Sequence, residues 1–400
     1  MKEYATGGSS VRICFGEATM EVKKTNLKFL HCSDIHLDIP FIGLTADKSE
    51  ERRRVLRSSF MRLMQYIREN EIDVALMSGD LFDTRYATNA TAEVLIREFV
   101  NCRDTIFIIA PGKNDHYNGN PIYTSGRLPG NCYVFDSDKL SRFDFEQYNV
   151  TVYGWAFLDD KLNENPLTDR HVDDASRVNL VCAYADLGGA VDSDKCPVAL
   201  SDIKHFGADY YALGSRHEAT KFMSTGGSKY AYAGSLECTG FDEPGLGGAN
   251  LISVTYCDGE LSIENKRITF GHVRFETEKL DITGVNSSNE IINRISRMIS
   301  DKKYDNETAL RVELVGEVSP SFNVPTSNFE SDAFGLYFFH MVDKTIPLYG
   351  TEWLKRDMSV KGQIFRSFYP DLVGDDEEKK LITAKAFRIA LAALENRDIH

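Results

Sequence analysis

Apolar residues in the first third of the chain fall into short solid runs separated by stretches of helical period. LKFLHCSD (27–34) reads as a buried strand. Residues 50–69 carry Val55, Leu56, Phe60, Leu63, Met64 and Ile67 at helical spacing. VALMSGD (74–80) predicts a second buried strand, 90–101 a second helix and TIFIIAPG (105–112) a third strand. This β-α-β-α-β order predicts a parallel sheet covered by helices. From about residue 131 the texture changes. NCYVF, NVTVYGWAF, NLVCAYADL, DYYALGS, KYAYAGSLE and ANLISVTYC read as short strands with few helices between them, which predicts a second sheet packed against the first. LISVTYCDGELSIENKRI contains Asp258-Gly259, a hairpin turn signal.

After about residue 271 the pattern shifts again. NEIINRISRMIS predicts a helix, ALRVELVGEV and GLYFFHMVDK predict strands, and 376–396 predicts a long amphipathic helix. The expected organisation is an N-terminal extension (1–26) with a short hairpin, a main α/β domain (27–270) and a smaller C-terminal α/β domain (271–400). The last helix offers Leu381, Ile382, Ala386, Phe387, Ile389, Ala390 and Leu394 either to its own domain or to a partner.

Composition narrows the function classes. A chain of 400 residues with 42% hydrophobic and 26% charged residues suits two or three globular domains. No run approaches the ~18 consecutive apolar residues of a membrane span, and the N-terminal stretch lacks the apolar core of a signal peptide. The eight cysteines are scattered without a C-x-x-C pair. That predicts reduced thiols and a cytoplasmic protein, not a zinc ribbon. A net charge of −14 disfavours a wholly electrostatic nucleic-acid binder. The basic run Arg52-Arg53-Arg54 with Arg57 lies on a predicted helix and reads as a solvated face.

The candidate chemistry sits at the strand ends. The first strand ends in Ser33-Asp34-Ile35-His36, the second in Ser78-Gly79-Asp80-Leu81-Phe82-Asp83, and the third in Gly112-Lys113-Asn114-Asp115-His116. A later strand ends in Gly214-Ser215-Arg216-His217. Carboxyl ends of parallel strands line the ligand crevice of an open α/β sheet, so these clusters should converge. Asp and His are the usual ligands of borderline divalent ions, and Asp34 and His36, two apart, point to one side of an extended strand end. Lys113 is out of character, since an ammonium has no lone pair to give a metal.

Taken together, FLHCSDIHLDIPFIGL (29–44), MSGDLFD (77–83), IIAPGKND (108–115), DYYALGSRHEA (209–219) and AYAGSLECTGFDEPG (231–245) resemble the calcineurin-like metallophosphoesterases, in particular the SbcD/YhaO-type DNA-repair exonuclease subunits. The resemblance implies a two-sheet α/β sandwich flanked by helices, with a smaller C-terminal α/β cap. It also implies a centre of two metal ions bridged by one aspartate. Carried over, Asp34, His36, Asp80 and His217 match the first metal's ligands, with Asp80 as the bridge. The second metal's ligands fall on Lys113, Tyr184 and Ser215, and the catalytic histidine falls on Asn114; Asp83 is a further catalytic candidate.

The expectation is therefore one divalent ion, manganese first with iron, zinc or magnesium as alternatives, and no second metal. The Lys113 ammonium is expected in the second ion's place, within hydrogen-bonding reach of Asp80 or another carboxylate of the site. If Lys113 is instead an insertion, Asn114 becomes a ligand and His116 a displaced base. If no metal remains, the four residues form a polar network neutralised by Lys113 or Arg216. Two functions follow from the resemblance: a binding or scaffold subunit with impaired or lost catalysis, or an active manganese-dependent exonuclease with a mononuclear centre. It further implies an SbcC-like coiled-coil ATPase partner, DNA as a ligand and a homodimer, with no membrane association.

Overall fold

The computed structural model describes residues 11–15, 18–22, 26–41, 46–190, 193–257, 260–319, 322–325, 334–348 and 351–394. The chain divides into two compact units between Arg274 and Phe275. In the first, β1 (Val11–Phe15) and β2 (Ala18–Val22) pair as an antiparallel hairpin. Then follow β3 (Asn26–Cys32), α1 (Ala46–Glu69), β4 (Val74–Met77), α2 (Asn89–Asn101), β5 (Ile106–Ile109), the short α3 (Pro121–Thr124) and β6 (Cys132–Val134). Next come β7 (Ser141–Phe145), β8 (Val150–Gly154), β9 (Val178–Tyr184), β10 (Asp186–Leu187), β11 (Pro197–Val198), α4 (Leu200–Phe206) and β12 (Tyr210–Gly214). The unit ends with β13 (Met223–Thr225), β14 (Ser228–Tyr232), β15 (Gly248–Cys257) and β16 (Glu260–Thr269).

Two six-stranded sheets result, in the orders β16-β15-β3-β4-β5-β6 and β13-β14-β12-β9-β8-β7. Strands β3 to β6 run parallel, as do β8, β9, β12 and β14. Side chains alternate between two buried faces. Phe29, Leu76 and Ile108 meet Val152, Leu180 and Ala212 in the core between the sheets. Leu30, Ala75 and Phe107 instead pack against Phe60, Leu63 and Leu95 of the flanking helices. On the far side, Val181 and Tyr211 pack against Ile203 and Phe206 of α4. Burial on both faces explains why these strands read as solid apolar runs and not as alternating ones.

Two expectations need correction. Strand β6 and the β15–β16 hairpin belong to the first sheet, not the second. The order of strands along the chain did not reveal that β3 has an open edge, which β15 fills antiparallel in the register Phe29↔Ile252. The turn at Asp258-Gly259 lies outside the described residues, but Cys257 and Glu260 pair across it. The second correction concerns Arg52, whose side chain is buried. It donates to Glu237 at 3.3 Å and to the Cys238 carbonyl at 2.5 Å. Arg53 does reach outward, to Glu50, whereas Arg57 turns in to the buried Asp38, donating to both its oxygens.

The second unit holds β17 (Arg274–Asp281), α5 (Ser288–Lys302), β18 (Thr308–Val315), β19 (Glu317–Val318), β20 (Phe338–Asp343) and β21 (Ile346–Pro347). It closes with α6 (Thr351–Arg356), α7 (Val360–Leu372) and α8 (Glu377–Leu394). Ile291 and Ile295 of α5 pack on the sheet β17-β18-β20 through Leu310, Val312 and Met341. On α8, Phe387 packs at a tilt against Phe365 and Leu391 is buried, whereas Ile382 and Ile389 face solvent. Among the described residues no helix is long and apolar enough to cross a membrane.

Candidate metal centre

The loops that leave β3, β4 and β5 are tied to one another by backbone bonds, and the loop after β12 joins them through Ser215 N, which donates to the Asp34 carboxylate. Asp34 N donates to Gly79 O at 3.0 Å, His36 N to Asp80 O at 2.9 Å and Leu37 N to Leu81 O at 3.0 Å. The buried Asp115 carboxylate closes the third loop onto the second. It accepts from Gly112 N (2.6 Å), Asp80 N (2.9 Å), Leu81 N (3.0 Å) and the Tyr123 hydroxyl (2.6 Å). Burial and the neighbouring Asp80 push the Asp115 pKa up to about 7. Asp34, His36 and Asp80 all adopt left-handed φ (48°, 49° and 53°), and Ser215 has φ 106°. Such conformations cost energy at non-glycine residues, and their concentration where strands of both sheets end is typical of a functional site.

Three of the expected ligands converge. One atom each from Asp34, His36 and His217 lies within 4.8 Å of the others. His36 Nε2 and His217 Nε2 face each other at 3.2 Å, and His217 Nε2 stands 3.9 Å from Asp34 Oδ1. The outer nitrogens are held by carboxylates: His36 Nδ1 by Asp83 (2.9 Å) and His217 Nδ1 by Glu243 (2.7 Å). Two imidazole nitrogens this close need a proton or a cation between their lone pairs. The field is anionic. Burial opposes a charged His36, but the bond to Asp83 and the charges of Asp80, Asp83 and Asp34 outweigh it and hold the pKa up at about 9. The bond to Glu243 raises His217 against the opposing effect of burial, and burial raises Asp34. A divalent ion suits this donor set: two inward-facing imidazoles, each fixed at its other nitrogen, and a carboxylate.

Asp80, the expected bridge, lies beside the cluster, 3.8 Å from His36 Nε2. Its oxygens are engaged elsewhere. Asn114 donates its backbone N–H to Oδ1 and its Nδ2 to Oδ2, both at 2.8 Å. Tyr184 is buried with its ring against the backbone of Gly79 and Gly112. A Cβ added at either glycine would stand 2.6 or 2.7 Å from Tyr184 Cδ2, so only glycine admits the ring there. Burial and the Asp80 charge raise the Tyr184 pKa far above the ordinary phenol, keeping it neutral. Ser215 donates its N–H to Asp34 but turns its hydroxyl to Ala185 O (2.8 Å).

Lys113 departs from expectation. Its Nζ does not sit beside Asp80; it bonds Asp194 at 2.7 Å on the rim. The flexible stem carries the ammonium to a half-exposed carboxylate, which spares the desolvation a buried position would cost. Arg216 likewise turns away, donating to Leu187 O (3.0 Å) and lying over the Tyr232 ring. Both cations named for a metal-free network therefore take other partners. His116 bonds the Asn118 carbonyl and lines a groove of about 560 Å³ with Arg85, Lys113 and the two residues that touch the cluster, Asp83 and Asn114.

Glu243 escaped sequence reading. It stands 26 positions from His217, in the FDEPG stretch that carried the resemblance without being assigned a role.

Comparison with known proteins bears on this arrangement. Residues 27–216 match the family described as calcineurin-like phosphoesterase. The chain is 26% identical over 304 residues to an uncharacterized metallophosphoesterase, YhaO, of Bacillus subtilis, covering 73% of this chain and 72% of that protein. It is 23% identical over 313 residues to the DNA double-strand break repair protein Mre11 of Thermoplasma acidophilum, covering 72% and 77%. Among solved structures, a dimetal phosphatase from Danio rerio aligns at 13% identity with a TM-score of 0.38, over 61% of this chain and 99% of its own. The two-sheet α/β architecture and the match over 27–216 agree: this segment of the chain is similar to the calcineurin-like phosphoesterases.

Proposed function

We propose that the protein is a one-metal member of this family with impaired or lost hydrolysis, acting as a binding or scaffold subunit of a DNA double-strand break repair assembly. The observation that carries the reading is the state of Asp80. Asn114 takes both its carboxylate oxygens, and the Tyr184 ring lies against the two glycines beside it. Each oxygen already spends one lone pair on Asn114, and the Tyr184 ring crowds the side on which a second ion would have to approach the bridge. Asp34, His36 and His217 would hold the remaining ion, with Asp80 alongside, and manganese is our first choice over iron, zinc or magnesium.

Bound there, a divalent ion supplies charge against a phosphoryl oxygen and a more acidic water. The positions that carry the rest of a two-metal mechanism in the family hold Lys113, Asn114, Tyr184 and Ser215 here. Asn114 cannot trade a proton as a histidine does, and general acid–base help of that kind is worth roughly 10²–10⁴-fold. Asp83 is occupied in fixing His36. The intact Asp34–His36–His217 cluster favours the second reading, a working mononuclear nuclease.

The relatives' names support a DNA-repair setting. On that ground we include an SbcC-like coiled-coil ATPase as partner, with 275–400 as the partner-facing unit, and DNA and a second copy of the chain as ligands. The test compares DNA cleavage in Mn²⁺ by the wild type and by a variant carrying Lys113→Asn, Asn114→His, Tyr184→His and Ser215→His. The expected result is negligible cleavage by the wild type and clear gain by the variant. Each change alone should do little, because residues that act as a unit are strongly non-additive. Wild-type cleavage as fast as the variant's would show the mononuclear centre to be a working one.

A further inference from the structure

The loop from Ser235 to Glu243 grips His217 twice. Ser235 N donates to the His217 carbonyl at 2.9 Å, and Glu243 Oε1 takes His217 Nδ1 at 2.7 Å. Glu243 is itself immobilised, and only 6% exposed. Thr239 donates its N–H to Oε2 at 2.9 Å and its hydroxyl to Oε1 at 2.7 Å, and Glu243 N closes a turn on Gly240 O. The imidazole is 40% exposed, so packing alone does not fix its rotation. An imidazole that donates Nδ1–H to a fixed carboxylate keeps its other nitrogen's lone pair free and aimed.

We propose that Glu243, braced by Thr239, is a positioning residue for the metal ligand His217, holding the ring so that Nε2 is presented to Asp34 and His36. It does for His217 what Asp83 does for His36. With both clamps closed, the two Nε2 atoms stand 3.2 Å apart. The centre is then preorganised from two separate loops, one following β4 and one following β14. The proposal rests on the one-metal reading above.

The test uses the full chain and three variants, Glu243→Gln, Glu243→Ala and Thr239→Val. Mn²⁺ affinity is measured by titration calorimetry, melting temperature on metal-free protein, and the His217 tautomer by ¹⁵N chemical shifts of metal-free protein at a pH where the ring is neutral. The wild type should hold the Nδ1–H tautomer. Glu243→Ala should lose it and bind Mn²⁺ roughly 10–100-fold more weakly. Glu243→Gln keeps a carbonyl acceptor, so it should retain the tautomer and recover part of the affinity. Thr239→Val should fall between the wild type and Glu243→Ala. A residue that merely braced the loop would lower the metal-free melting temperature and leave the tautomer and the Mn²⁺ affinity of the folded protein unchanged, which would overturn the proposal. If the wild type takes up no Mn²⁺ at all, the one-metal reading fails and the proposal falls with it. If the wild type binds and Glu243→Ala binds equally well, the positioning role alone is refuted.

Discussion

Replacing Tyr184 by alanine removes a ring that is 3% exposed and wedged between the backbone of Gly79 and Gly112 and the edge of Phe157, whose centroid is 5.2 Å away. If that ring is structural filling, its loss leaves a cavity the rigid loop backbone cannot close. Truncating a buried aromatic to alanine then costs about 3–5 kcal/mol. At about 2–4 °C per kcal/mol for a domain of this size, metal-free protein should melt on the order of 10 °C lower. Tyr184→Phe keeps the ring and deletes only the hydroxyl that faces Asp80, so it should cost about 1.5–3 kcal/mol, the range for a hydrogen bond to a charged group. The assay is a melt of metal-free protein followed by circular dichroism, with a denaturant titration as a second measure. If the ring stood over an open ion site, alanine would be nearly neutral. A loss below about 1 kcal/mol for Tyr184→Ala would refute the packing argument.

Other outcomes follow from separate parts of the fold. Lys113→Ala removes a rim ion pair whose partners are 28% and 37% exposed, so it should change stability by less than about 1 kcal/mol and leave Mn²⁺ affinity unaltered in a direct titration. Arg52→Ala leaves Glu237 buried without its cation and should destabilise by about 3–5 kcal/mol in a denaturant titration, unlike Arg53→Ala. Burial opposes the Glu237 charge, but His272, Arg52 and Ser59 more than offset it and hold the pKa below the ordinary value. A depressed carboxylate stabilises the fold above its unfolded pKa of about 4.3 and loses that contribution as pH falls through the folded value. Glu237→Gln should therefore flatten the acid limb of the stability curve measured between neutral pH and the acid transition.

Much of the site was legible because its residues lie where strands end. A solid apolar run that stops at Ser-Asp-x-His or Gly-Asp announces both the strand and the crevice it opens into, and Asp34, His36 and His217 do converge. What was illegible depends on directions that no spacing encodes. Whether Lys113 turns inward to Asp80 or outward to Asp194 is a choice of rotamers and solvation. Glu243 reaches His217 through a loop whose path is set by tertiary bonds, not by period. Arg52 looked solvated because its neighbours are charged; its buried partner Glu237 lies 185 positions on. The hairpin of β15 and β16 joined the first sheet because β3 needed an edge partner, a demand that arises only once the sheet exists.

The most direct test of the account is the metal stoichiometry of the purified full-length protein, loaded with Mn²⁺ and dialysed, by elemental analysis alongside anomalous diffraction at the manganese edge. The account predicts one ion per chain, bounded by Asp34, His36 and His217, with Asn114 still on Asp80 and the Tyr184 ring in place. Two ions per chain, bridged by Asp80 with Asn114 and Tyr184 displaced, would contradict it.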